Sequence, residues 1–91
     1  MVKVIELNCE ELHERTQAHQ YLAQELTLPD YYGKNLDALY DCLTELGECA
    51  LVLHEAEALR QSGGYGAKIL NVFEEAAQAN PCLTLEISDN S

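Results

Sequence analysis

The sequence predicts a two-layer α/β domain: a three-stranded parallel sheet in order 1-2-3, with the helices packed on one of its faces. Two observations lead there. Three short runs rich in β-branched or apolar residues are separated by segments of helical composition. Strands that alternate with helices in this way form parallel βαβ units with right-handed crossovers. A chain of 91 residues has room for one such domain, spanning 1–91, and none for a second core. Its 47% of hydrophobic residues is the share of a globular fold, not of a disordered chain.

Each element has a local reason. Residues 2–7 (VKVIEL) combine β-branched residues with alternation and read as the first strand. Residues 10–27 are helical in composition, with Leu12, His19, Leu22, Ala23 and Leu26 able to share one stripe. This helix begins either near Cys9 or at a cap supplied by Thr16, and both fit. Pro29 ends it, because the residue before a proline is pushed out of the helical region. Asp30-Tyr31-Tyr32-Gly33 is then a turn with two adjacent aromatics.

A second helix, 35–46, carries Leu36, Leu39, Leu43 and Leu46 at three-four-three spacing, which makes one apolar face, and Gly47 stops it. Residues 49–53 (CALVL) form a continuous apolar run, as in a strand buried on both sides. A short helix over 55–61 is broken by Ser62-Gly63-Gly64. The last helix runs over 66–79 with Ile69, Leu70, Phe73, Ala76 and Ala77 inward. Asn80-Pro81 terminates it, and 82–87 (CLTLEI) is the final strand. With helices on one side, the other sheet face must be polar or partly covered.

Charge is the unusual term. Sixteen Asp and Glu against five Lys and Arg give a formal net charge of -11. Such a surface disfavours nucleic acid and anionic membranes, which are themselves polyanions, and favours a cationic partner. The first strand's apolar run is short and interrupted by Glu6, and no stretch approaches the roughly 20 apolar residues of a membrane span. A cytoplasmic location is therefore expected, with Cys9, Cys42, Cys49 and Cys82 as reduced thiols. No pair has CxxC spacing, and the histidines add no zinc-like pattern, so neither metal nor cofactor is expected.

The stretch 28–44, LPDYYGKNLDALYDCLT, carries the functional signal. Opposite its leucine face, the second helix places Asp37, Asp41 and Thr44. At 3.6 residues per turn Asp37 and Asp41 stack one above the other, and like charges four apart cost a helix a few tenths of a kcal/mol. Asp37 lies in the first turn, where the helix dipole favours a negative charge. Asp41 is too far along for that explanation. Tyrosines beside paired carboxylates make a surface that is apolar, rigid and negative at once, as binding hot spots prefer.

The run Pro29-Asp30-Tyr31-Tyr32-Gly33-Lys34-Asn35-Leu36-Asp37-Ala38-Leu39-Tyr40-Asp41-Cys42-Leu43-Thr44 resembles the signature of the barstar family, whose members inhibit small extracellular ribonucleases. Leu51-Val52-Leu53 is similar to that family's central strand, and Gly66-Ala67 with Val72-Phe73-Glu74-Glu75-Ala76 to its last helix. The resemblance covers nearly the whole chain, with a slightly shorter connection between His54 and Gly66. It implies an intracellular inhibitor that binds a basic, barnase-type ribonuclease one to one and plugs its cleft with carboxylates that mimic RNA phosphate. Asp41 is then the principal anchor and Asp37 pairs with the same basic cluster. Tyr31 stacks in the cleft, Gly33 and Asn35 make close contacts, Tyr40 and Thr44 line the patch, and Glu75 reaches a peripheral cation. The family's best-known member has Trp in place of Tyr40, and Gly then Trp in place of Glu45 and Leu46. The resemblance thus puts Glu45 at the rim, where its longer charged side chain would clash with, or select, a particular nuclease.

Two other classes fit parts of the sequence. Paired carboxylates can serve acid–base catalysis, but the chain shows no nucleophile pair and no metal set. Its Gly63-Gly64-Tyr65-Gly66-Ala67-Lys68 stretch lacks phosphate-loop spacing and does not follow a strand. The other class is an immunity or adaptor protein on the same scaffold that binds a different cationic toxin or enzyme.

Overall fold

The computed structural model describes residues 3–28, 32–33 and 35–88. The order of elements is β1 (Lys3–Asn8), a short 3-10 helix (Cys9–Leu12), α1 (Arg15–Glu25), α2 (Leu36–Thr44), β2 (Cys49–His54), α3 (Ala56–Ser62), α4 (Tyr65–Ala79) and β3 (Leu83–Ser88). All three strands are parallel in the order β1-β2-β3, with Ile5 opposite Leu51 and Leu51 opposite Leu85. The predicted two-layer α/β architecture is the one found.

Strand pleating decides which residues meet the helices. Side chains alternate between faces, and the buried positions are odd-numbered: Ile5, Leu7, Cys49, Leu51, Leu53 and Leu83. The even face carries Val4, Glu6, Asn8, Thr84 and Glu86, all exposed. Strand β2 is therefore not buried on both sides. Its Ala50, Val52 and His54 are half-buried on the open face, where His54 pairs with Glu6 at 2.9 Å. The open face is mixed, polar at β1 and β3 and more covered along β2.

The segment read as one helix over 10–27 is two. Asn8 caps the 3-10 helix by accepting from the Glu10 N–H at 3.0 Å. The threefold repeat of a 3-10 turn puts Cys9 and Leu12 on one side, and both are fully buried. Glu14 is extended, so the chain restarts as α1 at Arg15, and neither Cys9 nor Thr16 supplies its cap. Ala18, His19, Leu22 and Leu26 are buried, as the stripe predicted for the last three.

Two small details fix the positions of α2 and α4. The helix α2 ends at Thr44, short of Gly47, and its end is held by a side chain from elsewhere. Buried Asn80 donates through Nδ2 to the carbonyls of Leu43 and Leu46, each at 3.0 Å, and accepts from the Cys82 N–H. It therefore clamps the end of α2 to the entry of β3. Gly66, in the first turn of α4, lies flush on its neighbours: a Cβ there would stand 2.0 Å from Leu59 Cδ1 and 2.9 Å from the Leu12 carbonyl oxygen.

Asn80→Ala removes one donor each from the Leu43 and Leu46 carbonyls and the acceptor of the Cys82 N–H, and is expected to destabilise the fold by about 2–3 kcal/mol. Gly66→Ala gains helix propensity but forces α4 off a backbone oxygen that cannot yield, for a net loss of about 1–2 kcal/mol. Urea unfolding of the two variants beside the wild type measures both.

Candidate functional site

Helix α2 positions the site because its two faces differ sharply. Leu39 and Leu43 are fully buried in the core, and Leu36 and Leu46 are half-buried against it. The opposite face, with Asp37 and Asp41, is exposed. The two carboxylates stand one turn apart, about 6 Å along the axis. Asn35 starts the helix: its Oδ1 accepts from the Ala38 N–H at 2.7 Å and its Nδ2 donates to the Gly33 carbonyl at 3.2 Å. A Cβ on Gly33 would meet that amide nitrogen at 3.1 Å, so the backbone there lies tight against the cap.

Two shallow hollows flank this face. The first, about 360 Å³, is lined by Tyr32, Gly33, Ala38, Asp41, Cys42, Thr44 and Glu45. The second, about 320 Å³, is lined by Arg15, Asn35, Leu36, Asp37 and Tyr65. Gly33, Asp41, Thr44 and Glu45 are thus brought together, while Asn35 and Asp37 stand at the neighbouring hollow. Tyr40 is half-buried and packs on the core. Glu75 is exposed on α4 and lines neither hollow. Tyr31 lies outside the described residues.

Asp37 and Asp41 make no ion pair among the described residues, and Arg15 lines the second hollow with Asp37. Among the described residues the carboxylates in contact with a basic side chain are Glu74, paired with Arg60, and Glu6, bonded to His54, both away from α2. Thr44 donates its hydroxyl to the Asp41 carbonyl at 2.9 Å, closing the last turn and leaving its oxygen free to accept. The Cys42 thiol is pushed above its ordinary range, first by burial, then by the negative charges of Glu45 and Asp41. Burial likewise raises the Tyr32 phenol, with Cys42 and Tyr65 acting in the same direction. Tyr32 therefore stays protonated. Among the described residues no group of three or more His, Cys, Asp or Glu is arranged to hold a metal, and no helix is long and apolar enough to cross a membrane.

Sequence reasoning missed three participants. Tyr65 and Arg15 belong to the second hollow, and His19, read as one member of an apolar stripe, joins the site from beneath. Its Nδ1 is 2.5 Å from the Tyr32 hydroxyl and its Nε2 is 2.6 Å from the Tyr65 hydroxyl. A histidine on an otherwise apolar face was the available signal, but its partners lie 13 and 46 residues away.

Together, the fold and this face define a small α/β domain built around an exposed acidic helix. The chain belongs to the barstar family: the family model described as Barstar (barnase inhibitor) matches residues 2–86. It is also similar to a protein of Bacillus subtilis (strain 168) named "Putative ribonuclease inhibitor YrdF". The two are 43% identical over 63 residues, which cover 66% of this chain and 69% of that one.

The raised Cys42 thiol makes a chemical prediction. Alkylation by iodoacetamide at pH 8 should proceed faster at exposed Cys82 than at Cys42, because only the thiolate reacts. Peptide mapping after partial labelling reads the order.

Proposed function

We propose that this protein inhibits a basic, barnase-type ribonuclease by seating the carboxylates of Asp41 and Asp37 among the cations that bind RNA phosphate. The observation that carries the reading is the exposed pair itself. The carboxylates are held one above the other on a capped helix whose other face is buried, with no ion pair among the described residues to satisfy them. The family match and the similarity to a named ribonuclease inhibitor support it.

The physical account requires no chemistry on the inhibitor. A ribonuclease cleft holds Arg, Lys and His to neutralise a phosphodiester. Carboxylates on a rigid helix satisfy those donors through charge-assisted bonds and exclude the substrate. Asp41 is the principal anchor because it lines the first hollow, beside Thr44 and Glu45. Asp37 serves the same cluster from the first turn, where the dipole already favours it. Tyr31 stacks in the cleft, Gly33 permits close approach, and Tyr40, Glu45 and Glu75 form the rim that distinguishes one nuclease from another. One acidic face per chain gives a one-to-one complex of standard size, roughly 1,200–2,000 Å². Such an inhibitor guards the cytoplasm in which its cysteines stay reduced.

Titration into a barnase-type ribonuclease, with RNA cleavage as readout, tests the reading. Stoichiometric inhibition is expected, and Asp41→Ala should weaken it roughly 30-fold or more, as truncating one partner of a buried charge pair does, a range to which barnase–barstar complexes themselves contribute. Failure to inhibit any microbial ribonuclease, including one encoded beside it, would sink the proposal. Association should also slow at least roughly tenfold between low salt and about 0.5 M salt. A salt-independent rate would argue against electrostatic docking.

A further inference from the structure

His19 is 1% exposed, and its imidazole touches two tyrosine hydroxyls that belong to different parts of the surface. Tyr32 precedes Gly33 in the connection between α1 and α2 and lines the first hollow. Tyr65 opens α4 and lines the second. Both tyrosine rings meet the imidazole at a tilt, with centroids 5.7 and 5.6 Å away and interplanar angles of 55° and 69°. Each ring nitrogen engages one hydroxyl, and a hydroxyl can donate or accept, so both contacts are met by one imidazole.

A buried polar group of this kind is a poor choice for stability alone. Apolar side chains in place of the whole trio would remove its desolvation cost and keep the volume filled. What a satisfied polar trio adds is geometric definition. That definition is needed here, because Tyr32 and Gly33 belong to no helix or strand, and no backbone–backbone bond ties them to another of the described residues. From Tyr32 the connection continues without a gap. Gly33 follows it in the chain, its carbonyl accepts from Asn35, and Asn35 caps α2 at Ala38. One line of bonds thus joins the first residue of α4 to the first turn of the acidic helix.

We propose that His19 is a positioning residue for the partner-binding face: by bonding Tyr32 and Tyr65 together it fixes the walls of both hollows and the cap of the helix between them. The proposal takes the acidic face of α2 as the inhibitory surface, as above. His19 touches no partner. It acts by keeping Gly33 and Asn35 where the carboxylates need them, so losing either hydroxyl contact loosens the face while leaving the sheet in place.

The test uses Tyr65→Phe and Tyr32→Phe, which keep the rings and remove only the hydroxyls, with His19→Leu and His19→Gln. Two readouts are taken: the amide resonances of Gly33 and Ala38 in the free protein, and dissociation from a barnase-type ribonuclease. In Tyr65→Phe and His19→Leu both resonances should move while those of β2 stay, and dissociation should quicken by about tenfold, the worth of one buried hydrogen bond. His19→Gln, whose amide offers one donor and one acceptor, should restore both readouts in large part. Unmoved resonances, or moved resonances with an unchanged dissociation rate, overturn the proposal. So does weaker binding without movement at Gly33 and Ala38, which would make Tyr65 a direct contact. If His19→Leu does not fold, the two Phe variants decide. If the wild type binds no ribonuclease, the inhibitor reading fails, and the resonances alone judge the positioning role.

Discussion

Burial of the leucine face of α2 is the constraint from which the rest of the site follows. Leu39 and Leu43 are wholly enclosed in the core that also holds Ile69 and Phe73 of α4. Each such side chain contributes roughly 1.5–3 kcal/mol when removed from water. No rotation of the helix that kept them enclosed would bring Asp37 and Asp41 inward, and turning those carboxylates into the core would cost far more than it returned. The acidic face is therefore a consequence of packing, held at one end by Asn35 and at the other by Asn80.

A charge of -11 on 91 residues is a stability liability through self-repulsion. The fold accepts it by leaving its carboxylates on the surface. Arg60 pairs with Glu74, across from α3 to α4. The face of α2 receives no such compensation among the described residues. The helix itself bears the repulsion between Asp37 and Asp41, a cost of a few tenths of a kcal/mol.

The two hollows have a common foundation. Their lining residues come from α1, α2, α4 and the connection after α1, and the buried imidazole of His19 ties one tyrosine of each hollow together. Gly66 matters for the same reason. By letting α4 press against Leu59 and Leu12 it sets where Tyr65, one residue earlier, begins the helix. Packing at one end of α4 and hydrogen bonding beneath α2 are parts of a single arrangement.

The sequence by itself determined the strand and helix order, the parallel sheet and the outward pairing of Asp37 with Asp41. These depend on periodicity and on residues near one another in the chain, where geometry is nearly fixed by the backbone. It also carried the resemblance in 28–44 that supplied a ribonuclease as the partner class, which no spacing could. Tertiary structure alone decided that Asn80, legible only as a helix stop, holds the end of α2. It likewise divided the helical segment after β1 at His13 and Glu14, where the extended backbone of Glu14 separates the 3-10 turn from α1. Above all, it brought His19 to Tyr32 and Tyr65: contacts across 13 and 46 residues leave no local pattern, since they are fixed by how the elements pack, not by how each one forms.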